Sequence, residues 1–342
     1  MTDTSKGGPR LEAASEPTMY FVGVTTGQSS IMRVFPAWAE LLGLTGVIRG
    51  IDLPLGADAE QYRRVVSFLK HDPLSLGALV TTHKLDIVTA AGDLFDGFGE
   101  DAQILHEISS ISKRDGALLG DAMDPWTSGL ALEAIVPDGH WAGGGDLVLL
   151  GAGGSSLALT LYLHRRRSRG LDVPDRIIVT NRRAERLKEM RRIHAQLGSD
   201  LAIEYVQASA PTVNDAVVSS AAARSVVVNA TGLGKDRPGS PLTSDPRFPD
   251  DAIAWDFNYR GDLVFLDQAR AQGRGVTAVD GWVYFLHGWT RVIAQVFDID
   301  IPTHGPVFDR ISEVARSATA PVAAAASPAS PDSITHPKGP RA

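Results

Sequence analysis

The chain contains no cysteine, which excludes disulfides, thiol nucleophiles and thiolate metal sites and fits a reducing compartment. No apolar run approaches the roughly 18 residues of a membrane span. The first residues, Met1-Thr2-Asp3-Thr4-Ser5-Lys6, lack the apolar stretch of a signal segment, so no membrane partner and a cytoplasmic location are expected. Positive charge is not in surplus: 33 Lys and Arg against 40 Asp and Glu leave a formal net charge of -7. A general nucleic-acid surface is therefore not expected, because it relies on basic clusters that neutralise phosphates. The 9 histidines are scattered, without the spacing of a metal site. What the chain does have is 34 glycines and 20 prolines among 44% hydrophobic residues, over 342 residues. That is an α/β composition with many turns and enough length for two cores.

The stretch Asp146-Leu147-Val148-Leu149-Leu150-Gly151-Ala152-Gly153-Gly154-Ser155-Ser156-Leu157-Ala158 organises the rest. An apolar strand runs into closely spaced glycines, and a helix-compatible run follows directly. Gly151, Gly153 and Gly154 permit a tight turn and let a phosphate approach the open N–H groups of the helix start at Ser155. The spacing departs from the usual dinucleotide fingerprint, its last small residue being Ala158. A second apolar run, Arg176-Ile177-Ile178-Val179-Thr180, ends in Asn181-Arg182-Arg183, with Arg186 close behind. An acidic side chain at this exit accepts from a ribose hydroxyl, whereas basic ones suit a 2′-phosphate. Asn181, Arg182 and Arg186 therefore point to NADP(H). The bland alternative is a solvated basic helix start, which would oppose the helix dipole unless an anion offset it. A later run, Ser225-Val226-Val227-Val228-Asn229-Ala230-Thr231-Gly232, brings Asn229, Thr231 and Gly232 to a strand exit that would pass the same cofactor.

Strands alternating with helices predict a mostly parallel sheet covered on both faces. Strands are expected at 19–24, 47–51, 76–80 and 117–122, with helices at 35–43, 59–70, 86–95 and 126–135 between and after them. In the first of these helices Pro36 would lie in the opening turn. The Gly/Pro/Asp-rich stretch 137–145 reads as a boundary. The expected organisation is a disordered tail at 1–18 and an N-terminal α/β substrate domain at 19–137, completed by 281–314. A Rossmann-type nucleotide-binding domain follows at 138–280, with a second disordered tail at 315–342, where the chain dissolves into Ala, Pro and Ser.

Two segments of the first domain carry chemistry. Leu79-Val80-Thr81-Thr82-His83-Lys84 enters as a buried strand and leaves with hydroxyls, an imidazole and an ammonium, and Gly120-Asp121-Ala122-Met123-Asp124 leads to carboxylates. A ketone accepting hydride develops negative charge on oxygen, which an ammonium can offset and protonate, while a carboxylate orients it. Lys84 and Asp124 meet that need if both exits open to one cleft; Asp121 is the rival carboxylate. Their structural alternatives are a solvent-facing strand terminus and a helix cap. Thr81 and Tyr259 offer hydrogen bonds to a substrate. His83 reads either as an assistant to Lys84 or as a local structural group. His287 followed by Trp289 either lines the substrate side or packs a helix.

In order along 19–297, these motifs resemble the shikimate dehydrogenase family with its quinate and amino-shikimate relatives. The segment 77–84 is similar to that family's Asn-Val-Thr…Pro…Lys with one position missing, and 120–124 to its Gly-x-Asn-Thr-Asp. Gly151-Ala152-Gly153-Gly154, Asn181-Arg182-Arg183-Ala184-Glu185-Arg186, Asn229-Ala230-Thr231-Gly232-Leu233-Gly234 and Asp256-Phe257-Asn258-Tyr259 resemble its cofactor-side and Asp-x-x-Tyr segments. The resemblance implies a catalytic lysine and aspartate at Lys84 and Asp124, a cleft between two domains, and a final helix returning to the first. It places a substrate serine at Ser29, while the second falls on Ile31 and a His-Asn pair on Phe35-Pro36. Hydroxyl-binding asparagines fall on Leu79, Ser109 and Ala122, and a late glutamine on Gly288. Ser29, Thr81, Ser109 and Tyr259 thus remain as substrate candidates around an unchanged catalytic pair. The implied function is NADP-dependent interconversion of a cyclic hydroxy compound and its ketone, with an altered pocket. A non-catalytic NADP-binding regulatory protein is the alternative. The expected partner is a cyclic polyol or hydroxy acid, with homodimerisation an open possibility.

Overall fold

The computed structural model describes residues 8, 9, 11–235 and 237–320. The first half contains β1 (Thr18–Gly23), α1 (Ile31–Leu42), β2 (Val47–Asp52), α2 (Ala59–His71), β3 (Ser75–Val80) and α3 (Lys84–Ala91). It continues with β4 (Gly97–Phe98), α4 (Glu100–Leu105), β5 (Ser110–Arg114), β6 (Ala117–Asp121) and α5 (Asp124–Ile135). Its sheet has the order β2-β1-β3-β5-β6-β4. Helix α2 shows why the local sequence folds as it does. Asp58 accepts from the Gln61 N–H while the Gln61 side chain returns to the Asp58 N–H, and Lys70 and His71 close the last turn. Tyr62, Val65, Val66 and Leu69 then form its buried face.

The second half alternates β7 (Leu147–Leu150), α6 (Gly154–Ser168), β8 (Ile177–Asn181), α7 (Ala184–Gln196), β9 (Ile203–Gln207) and α8 (Pro211–Ser220). Then come β10 (Val226–Asn229), β11 (Ile253–Asp256), α9 (Val264–Arg270) and β12 (Thr277–Val279). These strands form one sheet in the order β12-β11-β10-β7-β8-β9, parallel throughout. Every residue of β7 and β10 is buried, the pattern of central strands covered on both faces. The chain reverses direction across the sheet at β7, between β8 and β10, and the cleft at such a point is where this architecture binds ligands. Helix α10 (Trp282–Phe297) leaves the second sheet and packs on β3, β5 and α5 of the first half; α11 (Pro306–Thr319) then lies on α1.

Four sequence expectations change. The first sheet is mixed, since β3–β5 and β5–β6 are antiparallel. Asp115 and Gly116 both take positive φ (50° and 83°), and a two-residue turn of that kind reverses the strand directly. Lys84 and Asp124 do not close strands; each is the first residue of a helix, α3 and α5. Pro36 lies in the interior of α1, which begins earlier at Ile31. The expected tails are shorter than 1–18 and 315–342 in the residues described. Leu11 packs against the first core, and Ala14 N–H donates to Asp72 Oδ2 at 2.7 Å. At the other end, α11 continues to Thr319, because Phe308, Ile311 and Ala315 repeat at helical spacing and bury against α1 and α10. Trp38 Nε1 donates to Ile311 O and Trp282 Nε1 to Ser312 Oγ, each at 2.9 Å. The rest of the C-terminal expectation, 321–342, lies outside the described residues. No described helix is long and apolar enough to cross a membrane.

Candidate active site

The first side of the site is assembled by two turns that end strands and begin helices. After β3, Thr82 adopts φ 36°, a left-handed conformation that turns the chain sharply into α3. The buried His83 fixes this turn: its Nδ1 lies 2.9 Å from Tyr62 OH and its Nε2 3.0 Å from Leu53 O. With both ring nitrogens engaged, His83 is the local structural group and does not reach into the cleft. After β6, Met123 N–H donates to Ser109 Oγ at 2.8 Å, which holds the turn preceding Asp124. Ser109 is buried and used in this bond. It therefore supports the turn as an acceptor.

These turns bring Lys84 Nζ and Asp124 Oδ2 into a hydrogen-bonded ion pair. Asp121, the rival carboxylate, instead accepts from Gln295 Nε2. Burial opposes the Lys84 ammonium, but the charges of Asp124 and Glu107 more than offset this and hold its pKa above the usual lysine value. Burial pushes the Glu107 carboxyl up, with Lys84 pulling it down and Asp124 pushing it up. Tyr284 from α10 joins the group. Burial and then the Asp124 charge push its phenol up to about 12, against Lys84 and a hydrogen bond from Ser155. Sequence reasoning missed both Glu107 and Tyr284. The available signal was an acid set between the apolar residues Leu105 and Ile108, and a phenol inside the apolar opening run Trp282-Val283-Tyr284-Phe285-Leu286 of α10.

Thr81 Oγ1 lies 3.4 Å from Val22 O and is half-buried. Ser29 ends a short 3₁₀ turn, Thr26–Gln28, and is half-buried. Tyr259 packs edge-on to Trp282 and against Phe285. Burial raises its phenol pKa, while a hydrogen bond with Ser30 and the charges of Arg260 and Arg33 draw it back. His287 does not line the cleft; it stacks on Phe308 of α11 with ring centroids 4.6 Å apart.

On the second side, a cavity of about 400 Å³ gathers Gly151, Gly153, Asn181, Arg182, Arg186 and Thr231 at one place. Arg183 and Arg237 line it as well; Arg237 was not anticipated, since it lies outside the recognised motifs. The glycines differ in what they allow. Gly151 has φ 115°, and a Cβ there would come within 2.9 Å of Ala230 O, so the close approach of two strand ends requires it. A Cβ on Gly153 would meet nothing within 4 Å, which leaves open space beside the start of α6. That space and the four guanidiniums fit the phosphates of a dinucleotide.

Four expected cofactor residues do different work. Gly154 faces the first half, where a Cβ would lie 3.6 Å from Glu107 Oε2. Ser155 hydrogen-bonds Tyr284 across the same gap. Asn229 is fully buried; its Nδ2 donates to Asp256 Oδ2 at 2.9 Å and its Oδ1 accepts from Thr231 Oγ1 at 2.7 Å. It braces the strand exit from within, beside an Asp256 whose carboxyl burial pushes up to about 6. Gly232, at φ 72°, turns the backbone behind that exit and does not line the cavity.

Comparison with known proteins gives a consistent neighbourhood. No family model matches the chain. A curated shikimate dehydrogenase (NADP(+)) from Methylobacterium radiotolerans is 27% identical over 281 residues, covering 80% of this chain and 89% of that protein. Among solved structures, shikimate 5-dehydrogenase from Thermus thermophilus, in complex with NADP(H) and shikimate, superposes with a TM-score of 0.65. It is 22% identical and covers 88% of this chain and 99% of its own. The ligand-free 5-ketofructose reductase of a Gluconobacter strain superposes with a TM-score of 0.64 at 17% identity, covering 88% and 98%. At these identities the structural matches establish the two-sheet fold alone.

Proposed function

We propose, for a chain that belongs to the shikimate dehydrogenase family and is an NADP(H)-dependent oxidoreductase acting on a CH–OH group, that Lys84 and Asp124 are the catalytic pair and that the substrate is a cyclic hydroxy or keto compound other than shikimate. The observation that carries this reading is the Lys84–Asp124 ion pair, formed at the starts of two helices and facing the glycine turn across Tyr284 and Ser155.

NADP(H), when bound, supplies or accepts the hydride. The remaining work belongs to the protein. The Lys84 ammonium hydrogen-bonds the carbonyl oxygen, offsets the charge that develops there and delivers its proton as the alcohol forms; oxidation runs these steps in reverse. Asp124 keeps the ammonium aimed and accepts from a neighbouring substrate hydroxyl. Its charge and that of Glu107 keep Lys84 protonated, so the proton is present before the carbonyl arrives. Ser29, Thr81 and Tyr259 supply the hydroxyl contacts, and closure of the cleft excludes water. Arg182, Arg186 and Asn181 hold the adenosine end, the arginines through charge-assisted hydrogen bonds to the 2′-phosphate.

The altered pocket follows from the positions that would grip a polyhydroxylated acid. Ile31 and Leu79 are buried in one apolar core and Ala122 in another, and a Cβ at Gly288 would meet nothing within 4 Å. A pocket without those hydrogen-bond partners discriminates poorly in favour of the ligand that needs them. A purely regulatory NADP-binding role is less favoured, because it has no use for a half-buried ammonium held between two carboxylates.

The test has two arms. Titrating NADP+ and NAD+ into the wild type and Arg182→Ala checks the cofactor end, with a larger loss expected for NADP+; equal losses would remove Arg182 from the phosphate site. Steady-state rates with shikimate, quinate and other cyclic polyols check the substrate. Shikimate turnover at about 10⁴ M⁻¹s⁻¹ or above, the range of a good substrate, would refute the altered pocket.

A further inference from the structure

We infer that Glu107 determines which redox form of the cofactor the site prefers: its carboxylate faces the nicotinamide end and favours NADP+ over NADPH. This rests on the reading above, in which Lys84 is the proton donor and the glycine turn holds the phosphates.

Glu107 lies half-buried in the turn between α4 and β5. Its two carboxylate oxygens would come 3.6 and 3.9 Å from a Cβ on Gly154, the first residue of α6, and its charge also bears on Lys84. The glycine turn thus presents two sides. Gly151 and Gly153 line the arginine-rich cavity, whereas Gly154 and Ser155 face Glu107 and Tyr284 of the first half. Hydride transfer requires the nicotinamide ring to touch the carbonyl whose oxygen rests on Lys84. A cofactor with its phosphates at Gly153 and its ring at Lys84 crosses the second side of the turn, where Glu107 stands.

The charge there is not balanced within the protein. The groups bearing on Glu107 are Lys84 and Asp124, and these two already form an ion pair. Tyr284 adds no charge, because its phenol is pushed up to about 12. The positive end of the α6 dipole lies beside the carboxylate as well, but the cofactor's phosphates take it up when they bind. One ammonium against two carboxylates leaves one negative charge in surplus. The two forms of NADP(H) carry the same phosphates and differ by one positive charge on the ring, present in NADP+ and absent in NADPH. Only NADP+ closes the count. The placement also suits the reaction: as hydride goes to the carbonyl carbon and the Lys84 proton to its oxygen, positive charge leaves Lys84 and appears on the ring. Glu107 bears on the first position at the start and on the second at the end. Without its charge the count is zero with NADPH and one positive with NADP+, so the preference is lost or reversed.

Both forms are titrated into the full chain without substrate, by calorimetry at about pH 8, where carboxylates are ionised and phenols are not. The readout is the ratio of the NADPH dissociation constant to that of NADP+, in which the phosphates and adenosine, common to both forms, cancel. Glu107→Gln and Glu107→Ala remove the charge in two shapes, and an unfolding midpoint near wild type identifies a folded variant. In each folded variant the ratio should fall at least about tenfold, the scale of one charge interaction at short range in a partly buried site. Glu107→Asp keeps the charge and should hold the ratio near wild type. An unchanged ratio in the Gln and Ala variants, with both constants moving together, marks a structural role and overturns the inference. A fall in Glu107→Asp as large as in Glu107→Gln overturns it as well. If the wild type binds neither form, the cofactor reading fails and this inference with it. If both forms bind and Lys84→Met slows hydride transfer while the ratio stays fixed, that reading stands and the role of Glu107 alone falls.

Discussion

A lysine at the first position of a helix opposes the helix dipole, which favours anions there. Lys84 holds that position in α3 because Asp124, at the equivalent position of α5, and Glu107 surround its ammonium with negative charge. Lys84→Met keeps the length and removes the charge, so hydride transfer with saturating cofactor should fall by at least ~10²-fold, the loss typical of general acid–base help. NADP+ affinity should stay near wild type, since the cavity lined by Arg182 and Arg186 lies on the other sheet. A near-wild-type rate of hydride transfer in stopped-flow measurements would remove Lys84 from the reaction. Lys84 and Asp124 were legible in the sequence because each stands at an abrupt change from apolar to polar character. Glu107 and Tyr284 stand out locally only as polar groups in apolar runs, and what they face depends on packing between α4, α5, α6 and α10.

At the scale of single elements, glycine placement makes the sharpest predictions. Gly153 is the first-turn neighbour of α6 with open space where a Cβ would go. Gly153→Val should therefore fold normally and lose NADP+ binding in calorimetry, because its side chain takes the space beside the helix start; tight binding by a folded variant would displace the pyrophosphate from this turn. Gly129 is the opposite case. It lies in α5 against α6, and a Cβ there would come within 2.3 Å of the Tyr162 ring. Gly129→Ala should destabilise the protein by about 1–3 kcal/mol through overpacking, read as a lower urea midpoint with the Lys84–Asp124 pair untouched. The basic end of α6 also gains meaning here. Its arginines suit a helix C-terminus, but Arg165 further reaches Asp101 of α4 at 2.7 Å and ties the two halves of the molecule.

Across the whole molecule, two cores on each sheet are joined by α5 and α10, and acid should loosen this assembly from within. His194, from α7, is buried between Thr160 Oγ1 at 2.8 Å and Tyr205 OH at 2.6 Å. Burial, and then the nearby His164, push its pKa from 6.5 down to about 4. A histidine lowered in the folded state binds its proton more readily when unfolded. Its stabilising contribution is therefore present above the unfolded value and is lost as pH falls from 6.5 towards 4. Between about pH 7 and about pH 5 this amounts to about 2 kcal/mol. Urea unfolding at the two pH values should show that loss in the wild type and a smaller one in His194→Gln; an identical pH dependence would show that His194 stays neutral in both states.

The sequence by itself determined what is local. The strand, glycine turn and helix of the second half, the basic exit of β8, the α/β class and the two polar turns that end in Lys84 and Asp124 are all written within short windows, because turns, helix starts and burial depend on neighbouring residues. Arg182 and Arg186, picked out by their place after β8, line one cavity with the glycine turn. Only the tertiary structure decided which carboxylate meets Lys84, since Asp121 and Asp124 are three residues apart and differ by the turn that Ser109 holds. It likewise gave Asn229 and Ser109 to internal bracing, reversed β5 and β6 into a hairpin, extended α11 onto α1, and drew Arg33, Arg260 and Arg316 around one space. Each of these rests on contacts between residues distant along the chain, where hydrogen-bond saturation and charge proximity are set by packing and leave no periodic trace in the sequence.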